Sequence, residues 1–551
     1  MFVDDKIYQA YLEELEDLEN FRAAHLNFHR DTPIELLEDP DTLRLVESLA
    51  FFSARSRLHG LRKIARMHQV LFRQYFCFLA NPLPSMGLLQ IQPSLRIPEK
   101  VSFLEGTELF AQTYDGRKAT FQTMCKTTTC PLFFDSFNFV RRIQGGYQLE
   151  ISYKAAHLQN EAINEFSFYI NHLNSFLGSI RAYFALSRSI ESVQVYYDET
   201  NIKNKEGVIC EYSFGSSPHK KLFNHPLERI RSRLHFPEQE MFLTISLPPC
   251  GKKWERITFS FELNQNWPDQ LPLTQNSLVP FVVPIVNLKL AKADPIECNG
   301  TKDSYPILYP NPIERFSLHT VLGAYEVVSG GMNPLKPGIL DKRGRTYEID
   351  FFDHTIALDL SDAFQNPRKI SIDALWTQLW FADYIDQEFK IKIAEERASG
   401  LGLKLFQQMC SHELPIALND PKFLLRILSL KNQNRLNLSE ILFLMNGLKN
   451  LDHSYFKIVP PLIKNLKVDQ QLDRTGVGPT IRYEFQLKEW DGKNWEIVVL
   501  FFNYLNSFLN CWLANFHVET VVFFPHMKIP LIFKKGSKDE LSVLARNFFL
   551  P

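Results

Sequence analysis

The stretch "IVVLFFNYLNSFLNCWLANF", Ile497 to Phe516, decides what kind of fold this chain has. It carries no charged residue over twenty positions, and a helix of that length is long enough to cross a bilayer. Its amides argue the other way. Asn503, Asn506, Ser507 and Asn510 recur at three-to-four spacing, while Phe501, Leu505, Phe508, Trp512 and Phe516 line the other side. In hydrocarbon every such amide needs a partner or pays a heavy desolvation cost. The spacing predicts a buried helix of a water-soluble domain, not a membrane span.

Working outward, Ile481, Tyr483, Phe485 and Leu487 alternate with polar residues and read as a half-buried strand. Asp491-Gly492, between that strand and the helix, reads as a tight hairpin turn. The same alternation marks Tyr147 to Tyr153 and Ile257 to Leu263, and Asp115-Gly116 is a second hairpin signal. A helical interlude is expected between Leu158 and Tyr183. From about Asn264 to Pro312 the chain is dense in proline. Pro280 and Pro284 argue for an edge or extended segment there and against a central strand. Strands return from Ser317 to Ile393, and helices follow Glu395, with Ser439 a candidate N-cap.

The N-terminal eighty residues read as helical. Tyr8, Leu12, Leu15 and Leu18 give the first apolar stripe, and Asp4, Asp5, Glu13, Glu14, Glu16, Asp17 and Glu19 make its other side acidic. Arg55, Arg57, Arg62, Lys63, Arg66 and Arg73 then form a basic stretch without an acid. Two arrangements satisfy this segregation: antiparallel helices that pair their charges, or one helix that meets another subunit. Within "DPDTLRLVESLAFFSARSRL", Asp39 to Leu58, Asp39 and Pro40 supply a helix start. Leu43, Val46, Leu49 and Ala50 give one apolar face, which Leu45 and Phe52 widen.

The fold class expected is α+β: an elongated multi-domain protein with a helical segment at 1–82, a β-rich domain with a helical insertion at 83–265, a Pro-rich segment and central β-rich domain at 266–395, and an α+β domain at 396–551. A chain of 551 residues buries large cores without metals or disulfides. The net charge of −1 exerts no overall pull toward nucleic acid or anionic lipid. Eight cysteines, none in a CxxC pair, are the usage of free thiols in a reducing compartment. The acidic start lacks the cationic flank and apolar run of a signal peptide.

The search for chemistry is negative. There is no GxxxxGK[ST] loop and no GxSxG elbow. His25 and His29 lack an accompanying HExxH, and Cys125 and Cys130 lack a matching downstream pair, so neither reads as a metal site. Asp350, Asp353 and His354, with Asp359 nearby, form the one cluster that a hydrolase-like enzyme could use. Their ordinary reading is as polar residues at strand ends. The basic run Asp341 to Arg345 reads as a solvated loop tip, without the aromatics of a nucleic-acid surface. A peripheral membrane protein using the 497–516 helix is the other alternative.

The order of short motifs resembles the TssF (ImpG/VasA) family, baseplate wedge subunits of bacterial type VI secretion systems. The resemblance runs through Tyr11, Glu14, Leu15 and Leu18, then Asp39, Pro40, Arg44, Leu45, Ala50, Phe51, Ala54 and Arg55. It continues in "PLPSMGLLQIQPS", "LEGTELFAQ" with "ATFQT", and Phe236, Pro237, Glu238 and Phe242. It ends in "VPIVNLKLAKADPIE", "RTGVGPTIRYEFQ" and the triplet Asn506, Ser507 and Phe508. It departs from the family pattern in the basic "HGLRKIARMHQV" and in Lys289 after Asn287-Leu288.

The resemblance implies a structural protein, similar to contractile phage baseplate wedge proteins, with no catalytic, metal or cofactor-binding residue. It implies two copies of this chain per TssG-like subunit, self-association within the wedge, and contacts with TssK-like and TssE-like subunits. Sheath and spike hub would be reached indirectly, without nucleic acid or direct membrane insertion. The expected location is the cytoplasm, docked at the inner membrane through other subunits. Residues expected at interfaces are Tyr11, Leu15, Leu18, Arg44, Phe51, Arg55, Arg57, Asn287, Asn506 and Phe508.

Overall fold

The computed structural model describes residues 5–28, 40–95, 100–143, 145–159, 163–198, 207–215, 223, 225–248, 250, 253–337, 346–350, 354–360, 363–387, 389–393, 400–415, 421–471, 479–525 and 529–534. Its helices are α1 (Asp5–Phe28), α2 (Pro40–Ala80), α3 (Phe176–Ser189), α4 (Pro226–His235), α5 (Pro421–Lys431), α6 (Leu438–Leu448), α7 (Val459–Leu462) and α8 (Trp495–Trp512). The chain divides into two compact units, residues 1–77 with 417–429, and residues 78–416 with 430–551. The first unit is helical. The second combines sheets with α3, α4, α6, α7 and α8, so the chain is α+β.

Within the second unit, six antiparallel strands form one sheet in the order Lys390–Ile393, Glu108–Gln112, Lys118–Thr123, Val282–Val286, Met86–Gln92, Gly402–Leu405. Its two end strands approach each other without hydrogen-bonded pairing, so the sheet curls into a partly open barrel. Asp115-Gly116 turns the hairpin between Gln112 and Lys118 as expected, with Gly116 at φ +84°. Val282–Val286 corrects the proline argument. It is a central strand, between Met86–Gln92 and Lys118–Thr123. A residue's N–H and C=O point to the same side of a strand, and the Pro284 carbonyl accepts from Met124 N–H, just past the end of the neighbouring strand. The proline therefore lacks its N–H where the ladder has already stopped. Leu278–Pro280 is an edge strand, as expected.

Two layered β-modules share the second unit. In one, the five-stranded sheet containing Tyr147–Gln159 and Trp254–Leu263 accompanies a four-stranded sheet containing Glu165–Ile170 and Phe242–Ser246. Aromatic rings fill the space between them: Phe166 lies 4.8 Å from Phe259 and 4.9 Å from Phe168. The helical interlude is displaced, since Glu165–Ile170 is a strand and the helix is α3. The other module packs Ile370, Ile372, Ala374 and Trp376 against Tyr305, Tyr347 and Ile356.

The C-terminal sheet runs Ile463–Gln471, Thr480–Leu487, His517–Phe523, Leu531–Phe533. Thr480–Leu487 and His517–Phe523 are parallel, which requires a crossover, and α8 is that crossover. Asp491-Gly492 is thus no hairpin. It is the turn from strand to helix, with Lys493 N–H donating to Asp491 Oδ1 at 3.1 Å and Gly492 at φ +71°. The cap of α6 also moves, from Ser439 to Asn437, whose side chain accepts from Glu440 N–H in a capping box.

The opening stretch is buried on both faces. Phe501, Leu505 and Phe508 are core, and so are Asn506 and Asn510. The Asn510 carboxamide donates to Val518 C=O (3.1 Å) and accepts from Val518 N–H (3.2 Å). Leu531–Phe533 pairs only from Thr520 onward, so Asn510 completes the ladder where that strand does not reach. Thr520 donates to Asn506 Oδ1 at 3.1 Å. Asn506 and Asn510 of the amide stripe meet the sheet instead of water or lipid. No helix among the described residues is long and apolar enough to cross a membrane.

The chain enters the second unit through Phe78 to Met86, whose two prolines leave carbonyls that no helix can use. Arg231 donates to Phe78 and Asn81 carbonyls at 2.7 and 2.5 Å. His319 and His235 reach the carbonyls of Pro82 and Pro84, each at 3.2 Å. His319 is brought inward by a bulge in Ser317–Val328. Burial pushes His319 down to about 3 and His412 to about 4, and His235 well below its ordinary value, so all three imidazoles are neutral.

Candidate subunit interface

The first unit presents apolar side chains that its own helices do not cover. On α2, Leu45, Leu49 and Phe52 are 71%, 58% and 64% exposed, at the i, i+4, i+7 spacing that lays one stripe along a helix. Phe51 is exposed beside them, its ring 6.0 Å from Phe52. On α1, Tyr8, Leu12 and Phe21 are exposed, and Tyr11, Leu15 and Leu18 are half-buried. Among the described side chains of α1 and of the Pro40–Gly60 part of α2, the buried positions are small: Ala10, Ala50 and Ala54. Of the face expected from the sequence, Ala50 is buried, Val46 is half-buried, Leu49 is exposed, and the Leu43 side chain lies outside the described residues. Alanines permit close helix approach and leave the large side chains outside.

Charges close the contact between α1 and α2. Arg57 reaches Glu13 at 2.6 Å and Glu14 at 2.9 Å, and Ser53 donates to Glu14 at 2.7 Å. The Ser53 and Arg57 hydrogen bonds hold the Glu14 carboxyl below its usual range. Of the two readings of the charge-segregated helices, internal pairing is what Arg57 does. Among the described residues the exposed Arg44 side chain meets Asp41, one turn away, at 3.4 Å, and Arg55 is exposed.

The remaining sequence-selected residues lie inside. Asn287 is buried and stitches two modules of the second unit. Its Nδ2 donates to Thr120 C=O (2.8 Å), and its Oδ1 accepts from Thr377 hydroxyl (3.1 Å) and Gln378 N–H (2.8 Å). Asn506 and Phe508 belong to the buried surface of α8. The enzyme-like cluster does not come together as a described site: Asp353 lies outside the described residues, Asp350 ends a strand, and His354 is an exposed turn residue at φ +49°. His25 and His29 side chains also lie outside the described residues. Among the described residues no three His, Cys, Asp or Glu side chains gather as metal ligands, and burial pushes the Cys125 thiol up to about 12.

A β-rich body with buried polar stitches and a helical unit carrying an uncovered apolar stripe define a structural subunit, built to be completed by other chains. The chain belongs to the TssF family of the type VI secretion system, whose profile matches residues 3–337. Its fold is similar to that of a chain in a cryo-electron microscopy structure of the type VI secretion system TssK-TssF-TssG baseplate subcomplex. That match has 16% identity and a TM-score of 0.68, over 90% of this chain and 98% of the other. It is also similar to a chain of the type VI secretion system baseplate complex, with 14% identity and a TM-score of 0.55, over 94% and 97% of the two chains. No curated protein sequence matches this chain.

Proposed function

We propose that this chain is a structural scaffold of a type VI secretion baseplate wedge. In this reading its α1–α2 unit is the surface through which it joins a TssG-like subunit and a second copy of itself. The observation that carries the reading is the uncovered stripe Leu45, Leu49 and Phe52, beside Phe51, in a chain of the TssF family. Fully burying a Leu or Phe side chain is worth about 1.5–3 kcal/mol, so four such residues supply a hot-spot cluster of the kind that anchors a stable interface. Tyr11, Leu15 and Leu18 extend the surface along α1, and Arg44 and Arg55 lie on its exposed rim. Asn287, Asn506 and Phe508 serve the fold instead.

The scaffold works without turnover and in the cytoplasm. It carries TssK-like subunits toward the membrane complex and TssE-like subunits toward the sheath. The similar structure that contains TssK and TssG with TssF supports the TssK-like and TssG-like partners. Co-expression with a TssG-like protein tests the reading. A complex holding two copies of this chain per TssG-like copy, by native mass spectrometry, supports it. A chain that purifies alone beside a folded TssG-like protein contradicts it.

A further inference from the structure

The 3-10 turn Pro237–Glu240 is buried over its whole length although three of its four residues are polar. Two of those are satisfied. Glu240 accepts from Arg233 at 2.8 Å and Tyr504 at 2.7 Å, and Gln239 donates to the Ser232 and Phe236 carbonyls at 2.9 and 2.7 Å. Glu238 is not. Its Oε1 accepts from the Tyr455 hydroxyl at 3.0 Å, but its buried Oε2 has no hydrogen-bond partner. The buried Tyr169 hydroxyl has the Gln407 side-chain amide beside it.

The groups facing Glu238 come from three directions. Tyr169 belongs to the strand Glu165–Ile170, Tyr455 to the 3-10 turn Tyr455–Ile458, and Cys410 to the segment after the barrel strand Gly402–Leu405. Burial pushes the thiol and both phenols up, so all three are neutral near pH 7. No cation among the described residues sets the state of Glu238; burial alone opposes its charge and pushes its carboxyl up to about 7. A buried carboxylate with no counter-charge is costly even with the hydrogen bonds from Tyr455 and its own backbone N–H. A proton on Oε2 removes the charge and turns the orphaned acceptor into a donor beside Tyr169.

We propose that Glu238 is a carboxylic acid in the folded chain below neutral pH, and that it is a proton-sensitive catch holding the Pro237–Glu240 turn to the Tyr455 turn. Ionisation adds an uncompensated charge at the point where the aromatic module, the barrel-strand segment and the C-terminal module meet. The linkage sign follows. Because the folded group binds its proton more tightly than the unfolded one, its contribution is fully present below about pH 4.5, is lost as pH rises, and is gone above about pH 7.

Glu238→Gln keeps the shape and a neutral donor. Thermal unfolding of the full chain and of this variant, run from pH 5 to pH 8.5, tests the proposal. The expected midpoints coincide at pH 5 and separate as pH rises, with the variant higher at pH 8. Infrared difference spectra of the wild-type chain over the same range provide a second measurement. A buried carboxylic C=O band should disappear with a midpoint near pH 7, and Tyr455→Phe, which removes the donor to the ionised form, should move that midpoint upward. A variant no more stable than wild type at pH 8, or a band midpoint that Tyr455→Phe leaves in place, overturns the proposal.

Discussion

Replacing Asn510 with alanine tests the reading of α8 as a helix that finishes a sheet. The carboxamide makes four bonds: to Asn506 C=O at 2.9 Å and Asn506 Oδ1 at 3.4 Å, to Val518 C=O at 3.1 Å, and from Val518 N–H at 3.2 Å. The ladder with Leu531–Phe533 begins at Thr520, so nothing else described reaches Val518 on that side. Alanine leaves one N–H and one C=O buried and unsatisfied, at about 1–3 kcal/mol each. Allowing for partial relaxation, the loss is about 2–4 kcal/mol. In a chain of several modules such a loss appears first as local opening rather than as one global transition. Hydrogen exchange read by mass spectrometry on peptides from α8 and from His517–Phe523 measures it. The expected acceleration is roughly 30- to 1,000-fold, the factor that 2–4 kcal/mol implies. Thr520→Val, which loses the single bond to Asn506, should show a smaller change, about 1 kcal/mol. Unchanged protection in Asn510→Ala would refute the claim that the amide stripe serves the sheet.

Three other perturbations separate fold from interface. Asn287→Ala removes three buried hydrogen bonds between modules and should cost about 2–4 kcal/mol, seen as a lower urea midpoint with or without partners. Leu45→Asp with Phe52→Asp alters only exposed side chains; the chain should keep its circular dichroism and thermal midpoint while losing co-purification with a TssG-like protein. Below pH 6.5 the neutral buried histidines destabilise the fold. Their folded values lie below the unfolded one, so stability present above about 6.5 is lost as pH falls, by about 1.4 kcal/mol per pH unit for each histidine until its folded value is reached. His319→Gln, which retains a donor for Pro82, should flatten that acid limb in a urea titration at pH 4 to 7.

The sequence shows the burial of the 497–516 stretch, because amides at helical spacing are incompatible with lipid whatever covers them. It does not show the parallel crossover, since Asp-Gly signals a tight turn without saying whether a strand or a helix follows. Period-two runs locate Tyr147–Gln159, Trp254–Leu263 and Thr480–Leu487, whose alternation is set by one buried face. Pro284 misleads because a proline's position relative to the end of its neighbouring strand is a tertiary fact. On α2, apolar spacing finds the helix and Ala50 but not Ala54, and it places the exposed Leu49 on the inner side; the contact with α1 decides between them. Asn287 and Asn506 stand out in the motif pattern for a reason that spacing cannot supply, a partner distant in the chain.

The central claim is that the exposed stripe of α1 and α2 is the surface another subunit covers. Hydrogen exchange cannot read side chains directly, so hydroxyl-radical footprinting of Leu45, Leu49, Phe51 and Phe52, with and without the co-expressed TssG-like subunit, is the most direct measurement. The account predicts strong protection of these four residues in the complex and unchanged labelling of exposed residues on the β-rich body, such as Ile143 and Phe364. Labelling of the four that is the same in the free chain and in a stable complex would contradict it.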